Sequence, residues 1–457
     1  MEKAEVAVMV VPLPVQSHLN QLLRLASLIS SYNLPVHYLG SATHNRQANL
    51  RYGPNPNPVA QIHFHDLPTP PIPAPYPSTG SDKIPVHIQP AISAYMELRR
   101  PIGALVREMS TKTRKIVVIY DRFIAEAVSD AVSIPNVESY AFNCVSGFNL
   151  FYILWQVIGK PFDLGGPDEK LFSFKDFYPE ETMKFMASRP EHFSNRAGDI
   201  HNTIRCVEGK YVDLLARREI GGKTQQWAIS PTLVPEFSTG HDTGTRHECM
   251  DWLDGQAPGS VIYVSFGTII SLSGEEISEI ASGLEQSKLK FIWVIRDADR
   301  ADIFSGGNKK IELPDGFEER ARENGILVVR DWAPQMEILA HRSTGGFMSH
   351  CGWNSCLESL ITGVPMLAWP MHSDQPLNAI FVTGVWKTGL FVMEWEKREE
   401  IVRASVIKDA VERLMGSEEG HEIRKKAGEM RAAVGKAAVE GGEYWRELES
   451  FVAHISR

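Results

Sequence analysis

A chain of 457 residues, 43% of them hydrophobic, is long enough for two or three domains that each bury a core. Its formal net charge of −9, with no run of Lys or Arg, argues against nucleic acid or anionic membrane as the main partner. The five cysteines, Cys144, Cys206, Cys249, Cys351 and Cys356, are odd in number and scattered, as expected for a reduced cytoplasmic protein without a disulfide framework.

Val6 to Val11 is a continuous apolar run, the pattern of a parallel strand buried on both faces. Acidic residues precede it, and Pro12 and Pro14 cut it short, so it reads as a first strand rather than a signal peptide. A helical stripe follows with Leu19, Leu22, Leu23, Ala26 and Ile29 on one face. His18 sits at the join with Ser17 as a candidate cap, and a positive helix end favours the neutral imidazole that a general base requires. On position alone, a capping or core histidine is the simpler reading.

Val36 to Leu39 and Ile116 to Tyr120 are further buried-strand runs. His63 and His65 alternate on one strand face; two imidazoles with no third ligand nearby read as a half-buried face rather than a metal site. Leu67 to Pro85 is rich in Pro, Ser and Gly, hence a loop over the surface or a cleft. The strand from Lys115 delivers Asp121 at its carboxyl end, the edge at which open α/β sheets bind ligands. Tyr140 to Ile158 is interrupted by Asn143, Ser146, Asn149 and Gln156 and falls short of a membrane span. Pro235 to His247 is polar and aperiodic, the best linker in the chain.

Val261 to Phe266 opens a second α/β series, followed by Gly267, Thr268 and a helix from about Gly274, with strands at Phe291 to Arg296 and Ile326 to Val329. Asp297-Ala298-Asp299 has the spacing of metal-binding carboxylates but lies in a charged, solvated segment, and no metal is assigned to it. Gly345 to Ser349 then reads as a buried strand, His350 to Ser355 as a tight turn, and Cys356 as the start of a helical pattern. Gly352 permits close backbone approach, and Asn354 and Ser355 are capping types. A helix beginning here suits a phosphate, towards which His350 adds a donor. Ile401 to Met415 is helical, and Gly441-Gly442 precedes a last amphipathic helix carrying Trp445, Leu448, Phe451, Val452 and Ile455.

The stretch from Trp332 to Gln375 opens with W-A-P-Q, carries H-C-G-W-N-S and closes with D-Q. In this it resembles the nucleotide-sugar signature of plant family 1 UDP-dependent glycosyltransferases, and the likeness extends over nearly the whole chain. The resemblance implies the GT-B fold, an α/β architecture of two doubly wound Rossmann-like domains facing across a cleft. It divides the chain into an acceptor-binding domain (1–235), a linker (236–247), a UDP-sugar-binding domain (248–440) and a terminal helix (441–457) that packs back on the first domain. His18 would be the base and Asp121 its partner, although the family's frequent Q-G-H reads Gln16-Ser17-His18 here. Trp332, Ala333 and Gln335 would hold uracil and ribose, and Glu358 the ribose hydroxyls. Thr268, His350, Gly352, Asn354 and Ser355 would bind the diphosphate. The Trp353 backbone, Asp374 and Gln375 would contact the sugar.

The reaction implied is an inverting displacement at the anomeric carbon of a UDP-sugar. It needs no metal or other cofactor, because fixed N–H donors can stabilise the leaving diphosphate. In this family glutamine at the position of Gln375 goes with glucose; UDP-xylose is the alternative donor. The N-terminal half most resembles the zeatin O-glycosyltransferase branch, which suggests a cytokinin acceptor, with a flavonoid or terpenoid as alternative; His87, Phe123 and Phe142 are candidate pocket residues. The expected partners are a UDP-sugar and a small hydroxylated acceptor, met by a monomer. Two other classes compete: a UDP-sugar-binding protein without turnover, and an NAD(P)-dependent oxidoreductase. The first would be free to lose His18 or Asp121, and the second would need a G-x-G-x-x-G after the first strand, where Pro12 and Pro14 stand.

Overall fold

The computed structural model describes residues 4–52, 62–69, 94–164, 196–222, 224–233, 246–267, 272–295, 312–330 and 332–457. Two parallel sheets carry the chain. The first has seven strands in the order β3-β2-β1-β4-β5-β6-β7: β1 (Ala4–Val11), β2 (Val36–Gly40), β3 (Ile62–Asp66), β4 (Thr113–Asp121), β5 (Val137–Asn143), β6 (Gly198–His201) and β7 (Gln225–Ala228). The second has six in the order β10-β9-β8-β11-β12-β13: β8 (Val261–Ser265), β9 (Lys290–Val294), β10 (Leu327–Val329), β11 (Thr344–Ser349), β12 (Met366–Ala368) and β13 (Gly389–Phe391). This is the GT-B architecture.

The strand order places the ligand edge. Each series starts mid-sheet, runs outward for three strands, then returns to the other side of its first strand. The reversals fall between β1 and β4 and between β8 and β11. At such a switch point the connections leave in opposite directions and open a crevice beyond the strand ends. The apolar runs explain the strands themselves: Val8, Met9, Val10 and Val11 are fully buried, which only a strand covered on both faces requires.

The helices that matter for the site are α1 (Gln16–Ser30), α2 (Gly147–Val157), α3 (Arg205–Leu215), α4 (Gly274–Gln286), α5 (Trp353–Thr362), α6 (Gln375–Ile380), α7 (Glu418–Ala438) and α8 (Glu443–Ile455). Helix α4 starts at the expected residue because Ser273 and Glu276 form a reciprocal capping box. Helix α5 starts at Trp353 with Gly352 as its cap, three residues earlier than the apolar pattern indicates, because Trp353 itself is buried. A single apolar cluster joins the two sheets. Phe148 of α2 stacks on Phe381 at 4.7 Å, and Tyr211 of α3 meets the same ring edge-on at 5.6 Å. Helix α8 lays Phe451 against Tyr140 and Trp227 of the first sheet, at 5.4 and 5.1 Å. Among the described residues no helix is long and apolar enough to cross a membrane.

Candidate active site

The first half of the site lies at the β1/β4 switch point. The backbone enters α1 through Val15, which makes no side-chain cap. Ser17, expected as the cap, therefore sits inside the first turn, and His18 follows it on the cleft side. His18 Nδ1 lies 2.6 Å from Asp121 Oδ2, with side-chain exposures of 16% and 1%. A carboxylate only accepts, so Nδ1 carries the proton and Nε2 keeps its lone pair. Asp121 is held in turn: Oδ1 accepts the Phe123 N–H at 3.0 Å and Oδ2 accepts the Cys144 thiol at 3.2 Å. Burial and the adjacent Asp121 charge push the Cys144 thiol well above its ordinary range, so it remains a donor.

The donor atoms of His18, Asp121 and Cys144 lie within 4.8 Å of one another, which raises the question of a metal. The Asp121 oxygens are already taken by the His18, Phe123 and Cys144 donors, and the protonated Cys144 thiol offers no thiolate to an ion. The arrangement is that of an oriented base.

Of the acceptor candidates, Phe123 sets its ring edge-on to His18 at 6.1 Å. Phe142 is fully buried in the core, so it packs β5 against its helices instead of meeting an acceptor; alternation along a buried strand cannot separate those two roles. His87 and Thr268 lie outside the described residues, as does Asp297 to Asp299.

The second half lies at the β8/β11 switch point. His350 leaves β11 into Cys351, a non-glycine residue at φ 64°. Its ring is wedged between two glycines. A Cβ on Gly267 would stand 2.7 Å from His350 Cε1, and one on Gly352 would stand 2.6 Å from Nε2. Burial, with His372 nearby, pulls His350 down to about 3, opposed by a hydrogen bond to the Ser265 backbone, so the ring is neutral. Its buried Nδ1 has no partner among the described residues, which fits a ligand-facing role.

Asn354 and Ser355, expected as capping types, occupy the first turn of α5 with their side chains engaged elsewhere. Gln335 Nε2 donates to Glu358 Oε2 at 2.6 Å and to Ser355 Oγ at 3.2 Å, and its oxygen accepts the Tyr263 hydroxyl at 3.2 Å. Burial raises the Glu358 carboxyl, opposed by the Arg24 charge and the Gln335 bond. Trp332 is half-buried, while Ala333 belongs to the core. The Trp353 ring packs beside Trp386 at 5.8 Å. A second left-handed residue, Ser373 at φ 57°, leads into Asp374 and Gln375 at the start of α6. Gln375 Oε1 accepts the N–H groups of Met371 and His372 at 2.9 and 3.0 Å, closing that turn. Burial raises the Asp374 carboxyl, opposed by Asn378 and by the facing His18.

Side chains absent from the sequence-based site join the two halves. Gln21, one turn along α1 from His18, donates to Asn354 Oδ1 at 2.7 Å. Asn202, just beyond β6, takes the Trp353 indole N–H on its carbonyl at 2.6 Å. Asn378 accepts the Ser146 hydroxyl on Oδ1 at 3.2 Å and donates to Asp374 Oδ2 at 2.7 Å and to the Cys351 carbonyl at 3.0 Å. Position at a strand end could have flagged Asn202. For Gln21 and Asn378 the only signal was one helical turn from His18 or Asp374, which every helix supplies.

Comparison with known proteins agrees with this geometry. Residues 4–234 match the family model "Glycosyltransferase, N-terminal domain" and residues 241–415 match "UDP-glucoronosyl and UDP-glucosyl transferase". The chain is 49% identical to zeatin O-xylosyltransferase of Phaseolus vulgaris, covering 100% of this chain and 99% of that one. It is 48% identical to zeatin O-glucosyltransferase of Phaseolus lunatus, covering 100% and 98%. Among solved structures it is similar to a UGT transferase from Siraitia grosvenorii in complex with UDP, at TM-score 0.77 and 26% identity over 99% of this chain and 100% of that one. It is similar in fold to Medicago truncatula UGT71G1 complexed with UDP-glucose, at TM-score 0.76 and 24% identity over 99% of both chains. With two switch-point clefts built as described and full-length identity near one half to zeatin O-glycosyltransferases, the chain belongs to the plant family 1 UDP-glycosyltransferases and is a UDP-glycosyltransferase enzyme.

Proposed function

We propose that this enzyme transfers glucose from UDP-glucose to a hydroxyl of a small plant metabolite, a zeatin-type cytokinin, with inversion at the anomeric carbon. The observation that carries the reading is the placement of an oriented base, His18 on Asp121, opposite Asp374 and the His350 turn. In this reading His18 Nε2 removes the acceptor proton, and Asp121 steadies the imidazolium that forms. UDP leaves against the backbone N–H groups in the first turn of α5, at Asn354 and Ser355, beside the neutral His350 ring. Trp332 stacks on uracil, and Glu358, fixed by Gln335, accepts the ribose hydroxyls. Because the Gln375 oxygen is committed to backbone N–H groups, its amide nitrogen, now 3.4 Å from the His372 ring nitrogens, is the group that would turn to a sugar hydroxyl. Residues 1–235 form the acceptor side, 248–440 the donor side, 236–247 the linker and 441–457 the returning helix.

A second reading of the donor, UDP-xylose, is favoured by one observation. Relatives at 49% and 48% identity are named for xylose and glucose respectively, so overall likeness does not separate the two sugars. Mass spectrometry of products decides, with purified enzyme, UDP-glucose or UDP-xylose, and trans-zeatin, cis-zeatin, an isoflavone or a monoterpenol. A zeatin O-hexoside is the expected product. A pentoside formed in preference would reassign the donor, and transfer confined to the phenolic or terpenol would overturn the cytokinin acceptor. His18→Ala is expected to lower turnover by about a hundredfold or more; near-normal turnover would remove His18 as the base.

A further inference from the structure

Away from the cleft, the edge of the first sheet gathers three histidines. His37 of β2 is paired in register with His63 of β3, and Leu39 with His65. Residues two apart on a strand point to the same face, about 6.6 Å apart, and neighbouring strands lie about 4.8 Å apart. All three imidazoles therefore emerge on one face. His37 Nδ1 lies 2.8 Å from His65 Nε2, and the His63 ring stacks on His37 with centroids 5.1 Å apart. His63 is exposed and the other two half-buried, so the cluster is open to solvent. A third imidazole, His37, comes from a different strand, but among the described residues the ring nitrogens of the three do not lie within 4.8 Å of one another as those of His18, Asp121 and Cys144 do. Burial and the neighbouring rings pull His37 down to about 4, and burial lowers His65 as well. Both rings are thus neutral at neutral pH, one donating its N–H to the lone pair of the other.

We propose that His37, His63 and His65 form a second ligand site, outside the cleft, that takes one zinc-class divalent cation through three neutral imidazoles. Three histidines plus a water make a tetrahedral zinc shell. Two nitrogen ligands in that shell stand about 3.3 Å apart, so the His37–His65 contact opens by only about half an ångström to admit the ion. The ring that donates the present N–H moves that proton to its other nitrogen, so both rings stay neutral. His63, exposed and stacked on His37, has to turn out of that stack to supply the third nitrogen. The bound ion ties β3, the edge strand among the described residues, to β2.

The test uses metal-free full-length protein, ZnCl2 in calorimetry and CoCl2 in visible absorption. Wild type is expected to bind one equivalent of Zn2+ and to melt at a higher temperature with it. His63→Ala and His37→Ala are expected to bind at least about tenfold more weakly, and the thermal gain should vanish in His63→Ala. Because His63 is exposed and outside the cleft, His63→Ala should fold and keep glycosyl transfer. His18→Ala and Cys144→Ala are expected to keep the binding. Zinc binding that survives His63→Ala, or that is lost in His18→Ala or Cys144→Ala, would overturn the proposal and move the ion to the His18, Asp121 and Cys144 group. Absence of binding by wild type would overturn it outright.

Discussion

His18 lies in the first turn of α1, just after β1, and Asp121 ends β4; between them the chain makes a long excursion through β2 and β3. What makes them a pair is one 2.6 Å hydrogen bond. Asp121→Asn preserves shape but can turn its N–H2 towards His18, which then loses the acceptor that fixes its tautomer. Turnover should fall by about a hundredfold or more, with little change in UDP-sugar KM; a fall below tenfold would limit Asp121 to packing. His350 calls for a different test. Its ring is held neutral down to about pH 3, so its contribution to donor binding should be flat between about pH 5 and pH 8. An inflection in UDP binding over that range that disappears in His350→Ala would contradict a neutral ring.

At the scale of the element, turns and helix starts determine what reaches the cleft. Gly267 (φ 79°) and Gly352 (φ −58°) press on the same His350 ring. Gly267→Ala adds left-handed strain of about 1–2 kcal/mol to that clash, whereas Gly352→Ala adds the clash alone. Both should raise UDP-sugar KM, and denaturant melts should show the larger stability loss in Gly267→Ala. Equal losses would mean that the backbone conformation at Gly267 costs nothing.

The start of α2 is capped from a distance. Glu208, buried on α3, accepts the N–H groups of Gly147 and Phe148, each at 2.9 Å. Burial nevertheless pushes its carboxyl from 4.5 up to about 7. A raised folded-state value means that the folded chain binds the extra proton, so this contribution is complete below about pH 4.5 and is lost as pH rises through about 7. Glu208→Gln cannot titrate. Its stability relative to wild type should therefore improve by about 3 kcal/mol between pH 4.5 and pH 8, read by urea melts; parallel pH profiles would refute the assignment.

Across the whole molecule, the two sheets behave as one packed body at the cleft floor. Phe148 and Tyr211 from the first half enclose Phe381 from the second, while Gln21–Asn354 and Trp353–Asn202 add polar ties. Deleting the shared ring in Phe381→Ala should cost about 3–5 kcal/mol in urea unfolding. A loss under about 1 kcal/mol would show that the interface repacks without it.

By itself, the sequence determined the α/β class, the buried strands, the family and the turn that follows β11, because continuous apolar runs, a glycine-bearing turn and a dense signature are local patterns. Helix α4 was legible for the same reason, since Ser273 and Glu276 are three residues apart. The start of α5 was misread because burial of Trp353 is a tertiary fact. Phe142 as core, Gln21 and Asn378 as links, and His37 beside His63 and His65 depended on which strands and helices become neighbours. Only the tertiary structure decided those, because each joins positions whose separation along the chain carries no periodic signal.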